Sequence, residues 1–544
     1  MTENFAEPIA PDPRLAAIEA AIKGGDLARA VAMAEQALDE GLVHPALLNL
    51  RAYKAEAQGR IADSLADLHR ALALAPEDAS LLNAIGLCQS RLGQHGEAVE
   101  SLTRATALAP AFPQAWNNLG VAQLAQGDLE GGRRSFETAA ALQPGFAEPR
   151  GHLALMASRR GDRAEARSAG EAALRLKPGL SEAVRALAEV DLAEGRASDA
   201  EDRLRALLAD PELGPNGRYL SRVLLGDVLD RQGRCPEAFD AYRTANLGQR
   251  QAHAAQFDRS SLIELFESSL RGFQAAWPAD GAGSPAPSGP HSPARKHIFL
   301  IGFMRSGTTL MEQVLAAQPA AVSLEEKEVL VSGVTEYLTR PEGMARLAAA
   351  DDQALAPHRA DYWSRVHGYG VDPADKVFVD KMPFDGLRLP LIHRLFPDAR
   401  IVLALRDPRD VIFSCFRRPF AVNAYTYELL TLPGAVRLYD IYMRSVEAFR
   451  ARLPLRLHQY RHEDLVADFD GQVMALCDFL GVEWSDAMRD IGGRSRQGLV
   501  TSPSAPQLLG GLSRDGLQQW RRYQAELTPF YAGLEPWVRR FGYE

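Results

Sequence analysis

The stretch His297-Ile-Phe-Leu-Ile-Gly-Phe-Met-Arg-Ser-Gly-Thr-Thr309 decides how the second half of this 544-residue chain is read. Its first five residues are a short apolar run rich in strand formers. A glycine-containing turn follows at once, and then a helical stretch from Thr309 to Ala317. Further apolar runs at Val377–Val379 and Ile401–Leu405 predict more buried parallel strands. Helical patterns separate them, among them Arg437–Arg452 and Phe469–Leu480. Strands alternating with helices predict an α/β layer fold with a mainly parallel sheet.

The turn itself, Gly302-Phe-Met-Arg-Ser-Gly-Thr-Thr309, resembles a P-loop in its placement between strand and helix. Backbone N–H groups and a helix N-terminus attract phosphate oxygens there. A Walker A motif puts lysine after its second glycine, and this chain has Thr308 in that place. Positive charge comes instead from Arg305, with Ser306, Gly307, Thr308 and Thr309 completing the loop. Without that lysine, and with no clear Mg²⁺-binding acid after a strand, ATP or GTP hydrolysis is poorly supported.

Arg305-Ser-Gly-Thr-Thr309 is similar to the 5′-phosphosulfate loop of sulfotransferases that use 3′-phosphoadenosine 5′-phosphosulfate (PAPS). The rest of that family's pattern follows in order. Ile401-Val-Leu-Ala-Leu-Arg406-Asp-Pro-Arg-Asp-Val-Ile-Phe-Ser414 resembles the segment that holds the donor's 3′-phosphate. The resemblance implies that Arg406 and Ser414 bind that phosphate, with Arg418 one helical turn further on. Asp380-Lys381-Met-Pro383 resembles the lysine-proline element, which makes Lys381 the cation at the sulfuryl or bridging oxygen. Tyrosylprotein sulfotransferases, and bacterial repeat-containing relatives similar to them, carry a glutamate 21 residues past the loop arginine. That position here is Glu326, implied to be the general base. Gln519-Trp520-Arg-Arg-Tyr523 resembles the closing helix. Two departures stand out: His462 occupies a usual tyrosine position, and Leu509 replaces an arginine in the C-terminal donor segment, where Ser504 is retained as a donor contact.

Working towards the N-terminus, residues 277–296 form a Pro/Gly/Ser-rich linker, and residues 248–276 read as a connecting helix. Ahead of these, glycines fall at 25, 59, 93, 127, 161 and 195, an unbroken spacing of 34. Prolines keep the same beat at 76, 110, 144 and 178. Small residues recur in register, Ala30, Ala98, Ala166 and Ala200 in one slot and Ala37, Ala71, Ala105, Ala139 and Ala173 in another. Residues 11–247 resemble a tetratricopeptide repeat array, with a looser seventh copy from Tyr219 to Leu247 carrying Gly226, Ala238 and Ala245. Turn glycines, close-packed alanines and helix-stopping prolines are what helical hairpins need. Residues 1–10 read as a disordered N-terminus. The fold expected is an all-α tetratricopeptide repeat solenoid followed, over 297–544, by an α/β P-loop-like sulfotransferase domain.

Composition narrows the function classes. A formal net charge of −9 argues against bulk nucleic-acid binding, so any polyanionic ligand needs a local pocket. Four scattered cysteines, at 88, 235, 415 and 477, suit a reducing compartment and build neither a disulfide framework nor a zinc cluster. With no signal-peptide pattern and no long apolar run, a cytoplasmic enzyme without a membrane span is expected. The function expected is sulfuryl transfer from PAPS, without a metal, to a hydroxyl acceptor. Similarity to the tyrosylprotein enzymes favours a protein tyrosine, while a glycan, lipid or small phenol stays open. The repeat groove is expected to hold a protein or peptide, either the acceptor or a partner. The alternatives are a repeat scaffold with a non-catalytic nucleotide-binding domain, and a P-loop kinase.

Overall fold

The computed structural model describes residues 12–258, 262–277, 291–340, 342–492 and 511–544. The chain divides into two compact units, Met1–Val190 and Asp191–Glu544.

In the first unit helical hairpins repeat, from Pro13–Lys23 with Leu27–Asp39 to Ala147–Arg160 with Arg163–Leu176. The glycines at 25, 59, 93, 127 and 161 turn each hairpin at φ between +74° and +90°. A side chain there would cost about 1–2 kcal/mol, which is why the period shows in glycine. The alanine slots are closed contacts: Ala30, Ala71, Ala98, Ala105, Ala139, Ala166 and Ala173 are 0% exposed. Gly120 serves the same end, since a Cβ there would lie 2.7 Å from the ring of the buried Phe136.

The second unit includes three more helices of the array, Ala197–Ala209, Pro215–Arg231 and Cys235–Phe257. The last of these runs past residue 247, where the array was expected to end. A further helix, Leu262–Ala276, leads to Trp277, which is buried and stacked on Phe273 at 4.9 Å rather than loose in a linker. The sheet then forms from β1 (Lys296–Gly302), β2 (Ala321–Glu325), β3 (Val377–Lys381), β4 (Arg400–Leu405) and β5 (Arg456–Arg461). All neighbours are parallel, in the order β2-β3-β1-β4-β5.

Side chains alternate across this sheet. Ile298, Leu300, Val377, Val379, Val402 and Ala404 share a core with Met311 and Val314 of the helix Thr308–Ala316. On the other face His297, Phe299 and Phe378 join an aromatic cluster with Tyr362, Trp363 and Phe396. The chain leaves β1 towards β2 and β3, and leaves β4 towards β5. These connections diverge between β1 and β4, which opens a crevice at the carboxyl ends of the strands, the usual ligand position in such sheets. No described helix is long and apolar enough to cross a membrane.

Candidate active site

The crevice is a cavity of about 800 Å³. Its polar wall grows from strand ends: the loop after β1, Glu326 after β2, Arg406 after β4 and His462 after β5. Gly307 caps the helix Thr308–Ala316 at φ +97°, and a Cβ on it would lie 2.8 Å from His462 Nδ1. Glycine is therefore required twice, by backbone conformation and by space. Gly307, Thr308 and Thr309 line the cavity at the helix start, where first-turn N–H groups lack intrahelical partners. Arg305 (φ +68°) and Glu326 (φ +47°) are two of the five non-glycine residues with positive φ among those described. Strain of this kind, about 1–3 kcal/mol each, persists where the surroundings over-determine it.

Four arginines converge beside the loop. Arg305 Nε donates to Ser414 Oγ at 3.1 Å, and Arg406 Nη1 donates to the Arg305 carbonyl at 3.1 Å. Arg406 Nη2 also bonds the Gly516 carbonyl. Arg418 pairs with Asp227 at 3.1 Å, and Arg417 bonds Gln519 and lies 3.5 Å from Asp230. Burial, then Arg418, Arg406 and Arg417, lowers the Arg305 pKa to about 9, so it is still charged at neutral pH. Burial, helped by Arg406 and Arg305, pushes His462 down to about 3 and keeps it neutral. Ser306 Oγ, His462 Nδ1 and the Nε groups of Arg406, Arg417 and Arg418 are buried without a hydrogen-bond partner among the described residues. Orphaned donors beside crowded cations fit a polyanion such as a nucleotide bisphosphate.

A second cluster lies under Glu326. Lys381 is 0% exposed, and its Nζ donates to Glu326 Oε1 at 2.5 Å, with Glu312 Oε2 at 3.4 Å and Glu325 Oε1 at 3.7 Å. The Glu326 N–H donates to the Lys381 carbonyl at 2.9 Å, locking the two backbones together. Burial opposes the Lys381 charge, but Glu312, Glu326 and Glu325 outweigh it and hold its pKa above the ordinary value. Burial raises Glu312 to about 7 despite Lys381. Further along the wall, Arg388 pairs with Glu328 at 2.8 Å and Asp385 at 2.9 Å, while Phe384 stacks on Tyr425 at 4.7 Å.

The turn after β4 is fixed from several sides. Asp407 caps the helix Pro408–Phe416, donates its own N–H to Glu463 at 3.0 Å, and accepts the Trp520 indole N–H at 3.1 Å. Asp410 accepts the Gln518 and Trp520 N–H groups at 2.6 and 2.9 Å. The short 3₁₀ helix Gln519–Tyr523 is thereby strapped to this turn.

Arg305, Gly307, Thr308, Thr309, Glu326, Arg406, Ser414 and Arg418 all line the one cavity. Lys381 does not; it stands behind Glu326, held by three carboxylates. Ser306 is buried within the loop, and Ser504 and Leu509 lie outside the described residues. Sequence reasoning missed Glu312, Arg388, Arg417, Asp227 and Asp230. Glu312 alone left a signal, as the only charged residue of a helix that is buried along its whole length.

Residues 297–486 match the Sulfotransferase family, and residues 15–79, 50–111, 83–145 and 119–181 match the tetratricopeptide repeat. An uncharacterized protein of Aquifex aeolicus is 22% identical over 355 residues, or 63% of this chain and 45% of its own length. This chain thus spans less than half of that relative. Protein-tyrosine sulfotransferase 2 of Gallus gallus is 26% identical over 266 residues, covering 45% of this chain and 69% of its own. An omega-hydroxy-beta-dihydromenaquinone-9 sulfotransferase of Mycobacterium bovis is 25% identical over 142 residues, 24% of this chain and 37% of its own. With its helical hairpins over 15–181 and its parallel sheet behind an arginine-lined loop over 297–486, the chain joins a region matched by the tetratricopeptide repeat to a domain matched by the Sulfotransferase family.

Proposed function

We propose that the domain moves a sulfuryl group from PAPS to a hydroxyl acceptor, a protein tyrosine, while the repeat array holds the acceptor protein or a partner. One observation carries this reading: the phosphate-type loop with Arg305, the Arg406–Ser414 pair and the carboxylate of Glu326 face a single cavity. The relative named for protein tyrosine supports the acceptor class, as does the Phe384–Tyr425 stack on the cavity wall, which suits a planar ring.

PAPS supplies the sulfuryl group, and its 5′-phosphate departs carrying negative charge. Gly307, Thr308, Thr309 and Arg305 hold the 5′ side, and Arg406, Ser414 and Arg418 the 3′-phosphate. Glu326, the exposed member of the carboxylate cluster, takes the acceptor's hydroxyl proton, a contribution of roughly 10²–10⁴-fold. Lys381 keeps Glu326 aimed and remains protonated as that proton arrives. Loss of one preorganised cation or N–H donor typically costs about 3 kcal/mol.

The test is a calorimetric titration with 3′-phosphoadenosine 5′-phosphate (PAP) and with ATP, on wild type, Arg305→Ala and Arg406→Ala. PAP is expected to bind tightly to wild type, to neither variant, and in preference to ATP. Preference for ATP with Mg²⁺, or no binding at all, overturns the reading and leaves a kinase or a scaffold.

A further inference from the structure

Two arginines of the donor wall, Arg417 and Arg418, owe their placement to a helix of the repeat array. Arg418 Nη1 meets Asp227 Oδ2 at 3.1 Å, and Asp227 is itself fixed because its Oδ1 accepts the buried Tyr242 hydroxyl at 2.8 Å. Arg417 lies 3.5 Å from Asp230, which also accepts the Tyr523 hydroxyl at 2.5 Å and pairs with Arg522. Asp227 and Asp230 stand on the helix Pro215–Arg231, and Tyr242 on Cys235–Phe257, its partner in the last hairpin. That hairpin is packed onto the helix Pro408–Phe416: Asn246 Nδ2 donates to the Phe416 carbonyl at 2.7 Å in a buried contact, and Phe239 meets Phe416 at 5.5 Å. Both hairpin and catalytic sheet lie in the compact unit Asp191–Glu544.

We infer that the last repeat hairpin is a working part of the donor site, with Asp227 and Asp230 as positioning residues for Arg418 and Arg417. The inference rests on the donor reading above. An arginine side chain loses rotamer freedom when it grips a ligand, so one tied beforehand along one edge binds with less loss. Arg418 is tied at Nη1 by Asp227, while its Nε is buried without a hydrogen-bond partner among the described residues. Asp227 also brings negative charge near an anion site, so its removal has two opposed effects on affinity. The deciding quantity is therefore how much Arg418 contributes with and without Asp227, because a purely long-range charge effect leaves that contribution unchanged.

The experiment is a double-mutant cycle in the full chain: wild type, Asp227→Asn, Arg418→Gln and the double variant, each titrated with PAP and followed for donor KM, kcat and Tm. Arg418→Gln is expected to weaken PAP binding about ten-fold in the wild-type background. In the Asp227→Asn background it is expected to cost under about three-fold, with donor KM following the same pattern and kcat moving little. Asp227→Glu, which retains the charge, is expected to restore most of the Arg418 contribution, and it carries the test if the asparagine variant fails to fold. An equal cost of Arg418→Gln in both backgrounds overturns the inference, as does a fall in Tm without any change in coupling. If wild type binds PAP and Arg418→Gln changes nothing, the inference falls while the donor reading stands. If wild type binds no PAP, both fall.

Discussion

Glu312 sits where three carboxylates share one ammonium, and its burial makes it the member that gives up its charge first. Gln at this position keeps the shape and removes the competing anion, so the Lys381 charge falls wholly on Glu325 and Glu326. Glu312→Gln is expected to lower kcat, because an ammonium no longer shared with Glu312 grips Glu326 more tightly; an unchanged kcat would show that Glu312 does not share the lysine with Glu326. Stability gives a second reading. A carboxyl raised from the ordinary 4.5 to about 7 contributes fully below 4.5 and loses that contribution as pH rises through 7. Wild type should therefore lose up to about 1.4 kcal/mol per pH unit from this group across that window, and Glu312→Gln should not, as urea unfolding at pH 5 and pH 7 would report.

The strand-loop-helix element concentrates what the sequence could reveal. Gly307→Ala is expected to destabilise the protein by about 1–2 kcal/mol through its left-handed backbone and to abolish PAP binding by pressing on His462. A variant that binds PAP as wild type does would mean that the loop tolerates a different path. This element was legible because every cause is local: apolar strand residues, turn glycines, an arginine within the turn. β1, β3 and β4 were legible for the same reason, being buried on both faces. β2 and β5 were not, because they are the sheet's edges, and β5 reads Arg-Leu-His-Gln-Tyr-Arg, with polar residues facing solvent. The repeat period was legible up to Gly195. The next turn glycine is Gly233, at φ +78° and 38 residues on, so the beat slips within the part of the array that belongs to the second unit. Asp227 was invisible because its partner Arg418 lies 191 residues away, a distance that no local pattern spans.

At the scale of the whole molecule, a net charge of −9 coexists with a cavity lined by five arginines, so attraction for a polyanion is concentrated locally at this cavity. The division at Val190 and Asp191 has a thermodynamic consequence. Repeats gain stability mainly from their nearest neighbours, whereas the second unit closes around one sheet and its flanking helices. Calorimetry should therefore resolve two unfolding transitions. PAP at a hundred times its Kd should raise only the transition of Asp191–Glu544, by the equivalent of about 2.7 kcal/mol. Phe136→Ala, which empties a fully buried position in the first unit, should lower only the other transition, with a loss of about 3–5 kcal/mol. If both perturbations move one shared transition, the two units unfold as a single cooperative block. Binding at the donor site would then stabilise the entire array, and the repeat groove and the active site would be thermodynamically linked without any further contact between ligands.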